Sequence, residues 1–200
     1  MQRPDALADF LDAAFAAFNR FARDTRSRHS IQAIDACLDT PGVIRETPGN
    51  RLAICDRYLD AALAAPTEDD VLRSLLAGFK ALEPLLEWKP RPSHNDTASE
   101  NFATGHANAM IVGPDGLEHR QDAWLGVSLM APETRYPDHN HPPEETYLVL
   151  SGGQFMQEGR WFTPGIGGSF YNPPGIRHAM RSGETPLLAL WALRPDRTAG

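Results

Sequence analysis

The sequence predicts an α+β fold: a mainly β domain, an antiparallel sandwich or barrel, preceded by an α-helical N-terminal region. Two observations carry this. The first 90 or so residues repeat apolar side chains at helical spacing, and beyond about residue 107 the chain breaks into short apolar runs separated by Gly and Pro turns. At 200 residues it is one large domain or a domain with an appendage, long enough to bury a sizeable core. The segments read as 1–90 for the helical region, 91–106 for a linker and the first edge of the barrel, and 107–200 for the barrel.

The helices follow from periodicity. Leu7, Phe10, Leu11, Ala14, Phe15, Phe18, Phe21 and Ala22 recur on one face. Residues 28–38 and 51–65 repeat the pattern, set apart by the breakers Pro41-Gly42 and Pro48-Gly49-Asn50. Thr67, with Asp70 three residues on, reads as the N-cap of a fourth helix that runs to about Ala81, and Pro84 ends or kinks it. The Phe stripe reads as core packing, or as a surface against the rest of the domain or a second subunit. Lys89-Pro90-Arg91-Pro92-Ser93-His94-Asn95-Asp96 is a linker by composition.

The strands follow from turn punctuation. Residues 107–113, 122–130, 146–150, 153–157, 160–163, 168–171 and 187–193 are short apolar runs. Turn signals such as Gly113-Pro114-Asp115-Gly116, Ser151-Gly152-Gly153, Glu158-Gly159 and Pro164-Gly165 divide them.

Bulk properties exclude some functions. With 19 basic and 26 acidic residues the net charge is -7, against the basic stripe of a nucleic-acid binder. Cys37 and Cys55 lie in apolar helical patterns and read as free thiols. The start of the chain is amphipathic and not uniformly apolar, so no signal peptide, membrane span or membrane partner is expected, and the location is cytoplasmic by default. The state expected is a monomer or a homodimer.

One constellation carries chemistry. His139-Asn140-His141-Pro142-Pro143-Glu144-Glu145 is followed by Pro173-Pro174-Gly175-Ile176-Arg177-His178. Side chains on a strand alternate faces, so His139, His141, Glu145 and Tyr147, all odd-numbered, share one face if the segment runs extended. Val149 continues that face, while Leu148 and Leu150 pack on the other. Convergent nitrogen and oxygen donors suit one divalent metal ion, with zinc, iron or manganese leading the candidates. Glu144 points to the opposite face, solvated or in a surface pair. His29, His94, His106 and His119 lie outside the spacing and read as surface or structural residues. Arg177 either meets a carboxylate or points outward on its turn.

His139-x-His141-x3-Glu145-x6-Gly152 resembles the first cupin motif, and Gly167-x5-Pro173-x-Gly175-x2-His178 the second. The usual Gly six residues before the first His is Glu133 here, and the usual Asn four after the last is Ser182. The resemblance covers roughly residues 107–195 and implies a cupin jelly-roll β-barrel with a metal inside. More narrowly, Tyr136-Pro137-x-His139-x-His141-Pro142-x2-Glu145-x-Tyr147-x2-Leu150-Ser151-Gly152 is similar to the bacterial cupin-type dimethylsulfoniopropionate (DMSP) lyases. That resemblance implies His141, Glu145, His178 and Tyr147 as ligands, and Tyr136 as a second active-site tyrosine. His139 is a ligand in most cupins, whereas the lyases use the tyrosine in that position.

The implied reaction is a β-elimination giving acrylate and dimethyl sulfide, for which a cation on the substrate carboxylate stabilises developing charge. Tyr147 is the base in this reading, and Tyr136 an alternative base or a substrate-orienting donor. The substrate is then a zwitterionic sulfonium carboxylate, whose cation suits aromatic faces. Trp191, Tyr171, Phe170, Trp161 and Phe162 are candidates for those faces. An iron-dependent cupin dioxygenase and a non-catalytic small-molecule-binding cupin are the alternatives.

Overall fold

The computed structural model describes residues 2–91 and 95–195. His94 and the middle of the 89–96 segment lie outside the described residues, as do residues 196–200.

The helical region forms α1 (Asp5–Phe21), α2 (Thr25–Cys37), α3 (Ala53–Leu63) and α4 (Asp70–Leu82). Asp24 caps α2 by accepting from the Arg26 N–H at 2.7 Å. The cap of α4 is Asp69, not Thr67: its carboxylate accepts from the N–H groups of Val71 and Leu72, while Thr67 accepts from Asp69 N–H. A carboxylate two residues closer to the first turn satisfies its orphan donors directly. Pro84 ends the helix, which passes into a 3-10 turn at Glu83–Leu85.

The strands are β1 (Val43–Ile44), β2 (Trp88–Lys89), β3 (His106–Gly113), β4 (Glu118–His119), β5 (Trp124–Met130), β6 (Glu144–Val149), β7 (Gln154–Gln157), β8 (Arg160–Phe162), β9 (Ser169–Asn172), β10 (His178–Arg181) and β11 (Leu187–Arg194). A four-residue helix, α5 (Phe102–Gly105), leads into β3. The larger sheet runs β1-β4-β3-β5-β11-β6-β9 with β2 on β3, and the smaller runs β10-β7-β8. Beyond the seven runs expected from sequence, the structure adds β10 and the two-residue strands β1, β2 and β4. The last three pair by backbone bonding, which leaves no apolar run to read.

Strand parity divides the core in two. On β6 and β11, Leu148, Leu188, Leu190 and Ala192 face the helices and join Phe10, Phe18, Ile31, Ile34 and Phe79 in one cluster. Tyr147, Val149, Leu187, Ala189, Trp191 and Leu193 face inward with Phe155 and Met180. The helices thus cover the outer face of the larger sheet, and each apolar side chain buried there contributes roughly 1.5–3 kcal/mol. The α1 stripe is core: Phe10 lies 5.9 Å from Phe79, which meets Trp88 edge-on at 6.4 Å. Neither cysteine is in a disulfide. Among the described residues, no helix is long and apolar enough to cross a membrane.

Candidate metal centre

The two motifs meet through backbone first. His139 and His178 exchange hydrogen bonds, N–H to carbonyl, at 3.0 and 2.9 Å, and Gly175 N–H donates to His141 carbonyl at 2.9 Å. Gly175 has φ +73°, a left-handed conformation that its lack of a Cβ permits, and so turns the Pro173-Pro174 segment back toward His141. Upstream, Glu133 occupies the cupin glycine position at φ +54°, so the turn keeps its left-handed shape without glycine. Ser182 supplies the bonds that hold it. Its hydroxyl donates to Ala131 carbonyl at 2.6 Å and accepts from Thr134 N–H at 2.9 Å.

His139 and His141 lie just before β6, Glu145 is its second residue, and His178 opens β10. One ligand atom from each of the three histidines falls within 4.8 Å of the others. Glu145 Oε2 lies 3.5 Å from His141 Nε2 and 3.3 Å from His178 Nε2. Each histidine is oriented from behind. Nδ1 of His139, His141 and His178 meets the carbonyls of Pro137, Pro143 and Ile176 at 3.0, 2.9 and 2.9 Å. A carbonyl only accepts, so Nδ1 carries a proton, and in the neutral ring Nε2 keeps its lone pair. His178 Nε2 is buried without a hydrogen-bond partner, which is costly unless something else satisfies it. The donor set therefore fits a divalent cation, which His139, His141 and His178 could hold with Glu145 beside them.

Burial, with the adjacent His178, pushes His139 down to about 3, so its ring is neutral at neutral pH. Burial opposes charge on Glu145, but the adjacent His141 and His178 rings, when protonated, outweigh it and hold the carboxyl well below the usual range. His141 is raised: burial works against its charge, and bonding to Glu145 more than offsets this.

Glu145 has a buried partner that sequence reasoning missed. Asn172 on β9 pairs with Glu145 across the strands, and its Nδ2 donates to Oε2 at 2.9 Å. Gln157 Nε2 in turn donates to Asn172 Oδ1 at 2.7 Å.

Tyr147 lies on the inward face, buried, stacked on Phe170 at 5.3 Å and tilted against Phe155. Burial and the charge of Glu145 push its phenol well above the ordinary range. Tyr136 stands on the other side, its ring 4.8 Å from both His139 and His106. Together with Arg91, Asn108, Met110, Trp124, Ser128, Trp191 and Leu193, these groups line a cavity of 170 Å³. This lies below the roughly 300 Å³ of sites for drug-sized ligands, a size for a small molecule.

Among the candidate aromatic faces, Trp191 lines this cavity, and Phe170 and Phe162 pack with Tyr147 in the inner cluster. Tyr171 does not face inward: paired across the strands with Thr146, it lies on the outer face, under Arg26 at 4.7 Å, and donates to Glu144. Burial, with the bond to Glu144, raises its phenol to about 12. Trp161 is likewise outside, covered by Arg181 and Arg135. Arg177 is exposed on its turn. Glu144 forms the expected outer pair, with Arg194 at 3.5 Å. His29 and His119 are exposed, and His106 is buried against Asn108, pushed down to about 4 by burial.

Gly126 is the one missed position that left a sequence signal, a lone glycine inside a strand. The Trp191 ring edge fills the place of its side chain: a Cβ there would sit 2.3 Å from Trp191 Cη2 and Cζ2. Trp191 Nε1 donates to Ser128 at 3.1 Å, and Ser128 donates to Asn108 at 2.6 Å, so the indole is pinned at both ends.

Comparison with known proteins follows the same lines. DddL of Cereibacter sphaeroides, named for DMSP lyase activity, is 33% identical over 93 residues, 46% of this chain and 39% of that protein. The DMSP lyase DddQ of Ruegeria pomeroyi is 40% identical over 100 residues, 48% of this chain and 49% of DddQ. The chain thus spans half or less of the length of the curated relatives it matches. The crystal structure of DddQ from Ruegeria pomeroyi superposes with TM-score 0.70 and 24% identity, over 98% of this chain and 95% of that one. A chain from the crystal structures of the DMSP lyases RdDddP and RnDddQII does so with the same values. At that identity the likeness is one of fold. The model of the dimethylsulfoniopropionate lyase family matches residues 26–189, most of the chain, which therefore belongs to that family.

Proposed function

We propose that the protein is a metal-dependent carbon–sulfur lyase that cleaves DMSP, or a close analogue, to acrylate and dimethyl sulfide. The observation that supports this most is the placement of two buried tyrosines on either side of the His/Glu cluster in one small cavity, in a chain of the lyase family. His139, His141, His178 and Glu145 would hold the ion, and the Tyr147 hydroxyl is a further possible ligand. When bound, a divalent cation supplies Lewis-acid stabilisation to the substrate carboxylate and offsets the Glu145 charge beside the Tyr147 phenol.

The residues of the chain do the rest. Tyr147, as phenolate, takes a proton from the carbon next to the carboxylate. The electrons of that C–H bond form the new C=C bond, and the C–S bond breaks with its pair going to sulfur. Trp191, pinned over Gly126, presents an aromatic face for the sulfonium. Tyr136 orients the substrate from the opposite wall.

Metal-reconstituted protein incubated anaerobically with DMSP should release dimethyl sulfide and acrylate in equal amounts. No release with zinc, iron or manganese would sink the lyase reading. Convergence of His139 with the other two histidines also suits an oxygen-activating iron centre. Oxygen uptake with the iron-loaded protein, and no dimethyl sulfide from DMSP under nitrogen, would favour that second reading.

A further inference from the structure

The cavity beside the histidines adjoins a larger one of 330 Å³, and the two share Arg91, Asn108, Met110, Tyr136 and Trp191 in their walls. These five residues are common to both walls; the chamber beside the histidines is here the inner one and the larger the outer one. Arg91 lines both chambers. Its Nη1 donates to Tyr136 Oη at 2.5 Å, and its guanidinium carbon lies 5.0 Å from the centroid of the same ring. Histidines aside, Arg91 is the only cationic side chain lining the inner chamber among the described residues.

On the outer side Lys89 adds a second cation. Glu87, in the same wall, is paired with Arg45 at 3.2 Å and Lys89 at 3.3 Å, and Asp115 is the other acid there. A planar guanidinium matches the geometry of a carboxylate, and half-buried between two chambers it binds one more strongly than in water.

We propose that Arg91 is the carboxylate-recognition residue of this site. It takes the substrate carboxylate where the two chambers meet and so favours small acids in the inner one. This rests on the reading of the site as one for a zwitterionic carboxylate. It also separates the two tyrosines. The Arg91 bond occupies a lone pair of the Tyr136 oxygen, and the Tyr136 O–H donates to the same carboxylate. Tyr136 is then an orienting donor, and Tyr147 is left as the base.

The test uses the metal-loaded full chain with two separate probes, propionate for the acid end and trimethylsulfonium for the cationic end. Binding is read by isothermal titration and by the fluorescence of Trp124 and Trp191 in the cavity wall. Arg91→Gln should weaken propionate by about tenfold or more, the loss of one charge-assisted bond, and leave trimethylsulfonium within about twofold. Arg91→Lys, which keeps the charge and loses the fork, should lose less of the propionate affinity than Arg91→Gln. If Arg91→Gln does not fold, Arg91→Lys against wild type carries the test: propionate should weaken by at least about threefold with trimethylsulfonium unchanged.

Unchanged propionate affinity in these variants overturns the proposal. So does an equal loss of both probes, which would make Arg91 a prop for Tyr136. A wild type that binds propionate through Arg91 yet releases no dimethyl sulfide removes the lyase reading alone. Dimethyl sulfide release with unchanged KM in Arg91→Gln removes the Arg91 proposal alone.

Discussion

Asn172→Ala tests whether the ligand set is built as one unit from the strands inward. Asn172 is fully buried, and its amide is used at both ends: Oδ1 accepts from Gln157 and Nδ2 donates to Glu145 Oε2 at 2.9 Å. Removing it takes a neutral donor from a buried carboxylate and leaves Gln157 Nε2 with its other acceptor, the Tyr171 carbonyl at 2.7 Å. A bond to a charged group of this kind is worth about 1.5–3 kcal/mol. Loss of such an outer partner lowers metal affinity by roughly 10–100-fold, which corresponds to about 1.4–2.8 kcal/mol. The assay is competition for zinc or cobalt against a chromophoric chelator, with circular dichroism to establish that the variant is folded. Asn172→Asp should weaken the metal more than Asn172→Ala, because it brings a second carboxylate against Glu145 at hydrogen-bond distance. A folded Asn172→Ala chain with affinity within about twofold of wild type would refute the reasoning, since Glu145 would then need no support from β9.

Other consequences are as direct. Tyr147→Phe should abolish dimethyl sulfide release while metal stoichiometry is unchanged; a near-normal rate would remove Tyr147 as the base. Gly126→Ala forces a methyl group against the Trp191 ring edge and the Ala109 carbonyl at 2.7 Å, and should cost about 1–3 kcal/mol in urea unfolding. The same variant should shift Trp191 emission. A loss under about 0.5 kcal/mol would mean the indole has room to move. Finally, His106 and His139 are buried with folded values of about 4 and about 3, below the ordinary value of about 6.5. The unfolded chain therefore binds more protons between those values, so the stability of the chelated protein should fall as pH drops from about 6.5 toward 4. His106→Gln should flatten that slope in urea midpoints, and an unaltered slope would exclude His106 as its source.

Much of this molecule is local, and local features were legible. Helical stripes in α1 and α4, turn punctuation between strands, and the odd-numbered face of β6 follow from periodicities of 3.6 and 2 residues, which sequence records directly. The cluster of His139, His141, Glu145 and His178 was legible because motif spacing encodes a strand and its turns. What failed to show were features made across the fold. The cap at Asp69 in place of Thr67 depended on where the first helical turn closed. The outward aim of Tyr171 and Trp161 depended on the phase of short strands, where one residue of register exchanges the two faces.

The sequence by itself determined the two-part chemistry of this chain. It specified a helical region that must bury an aromatic stripe, and a barrel motif whose spaced donors can converge on one point. Glu133 and Ser182, which depart from the motif in residue type, keep its turn through a left-handed backbone and a pair of hydroxyl bonds. Only the tertiary structure decided which distant groups complete the site. Asn172 reaches Glu145 because β9 lies beside β6, and Arg91 reaches Tyr136 across 45 residues from a segment that reads as plain linker. Contacts of that kind depend on the register of paired strands and the path of a returning loop, and neither leaves a period in the sequence for hydrophobic patterning to detect.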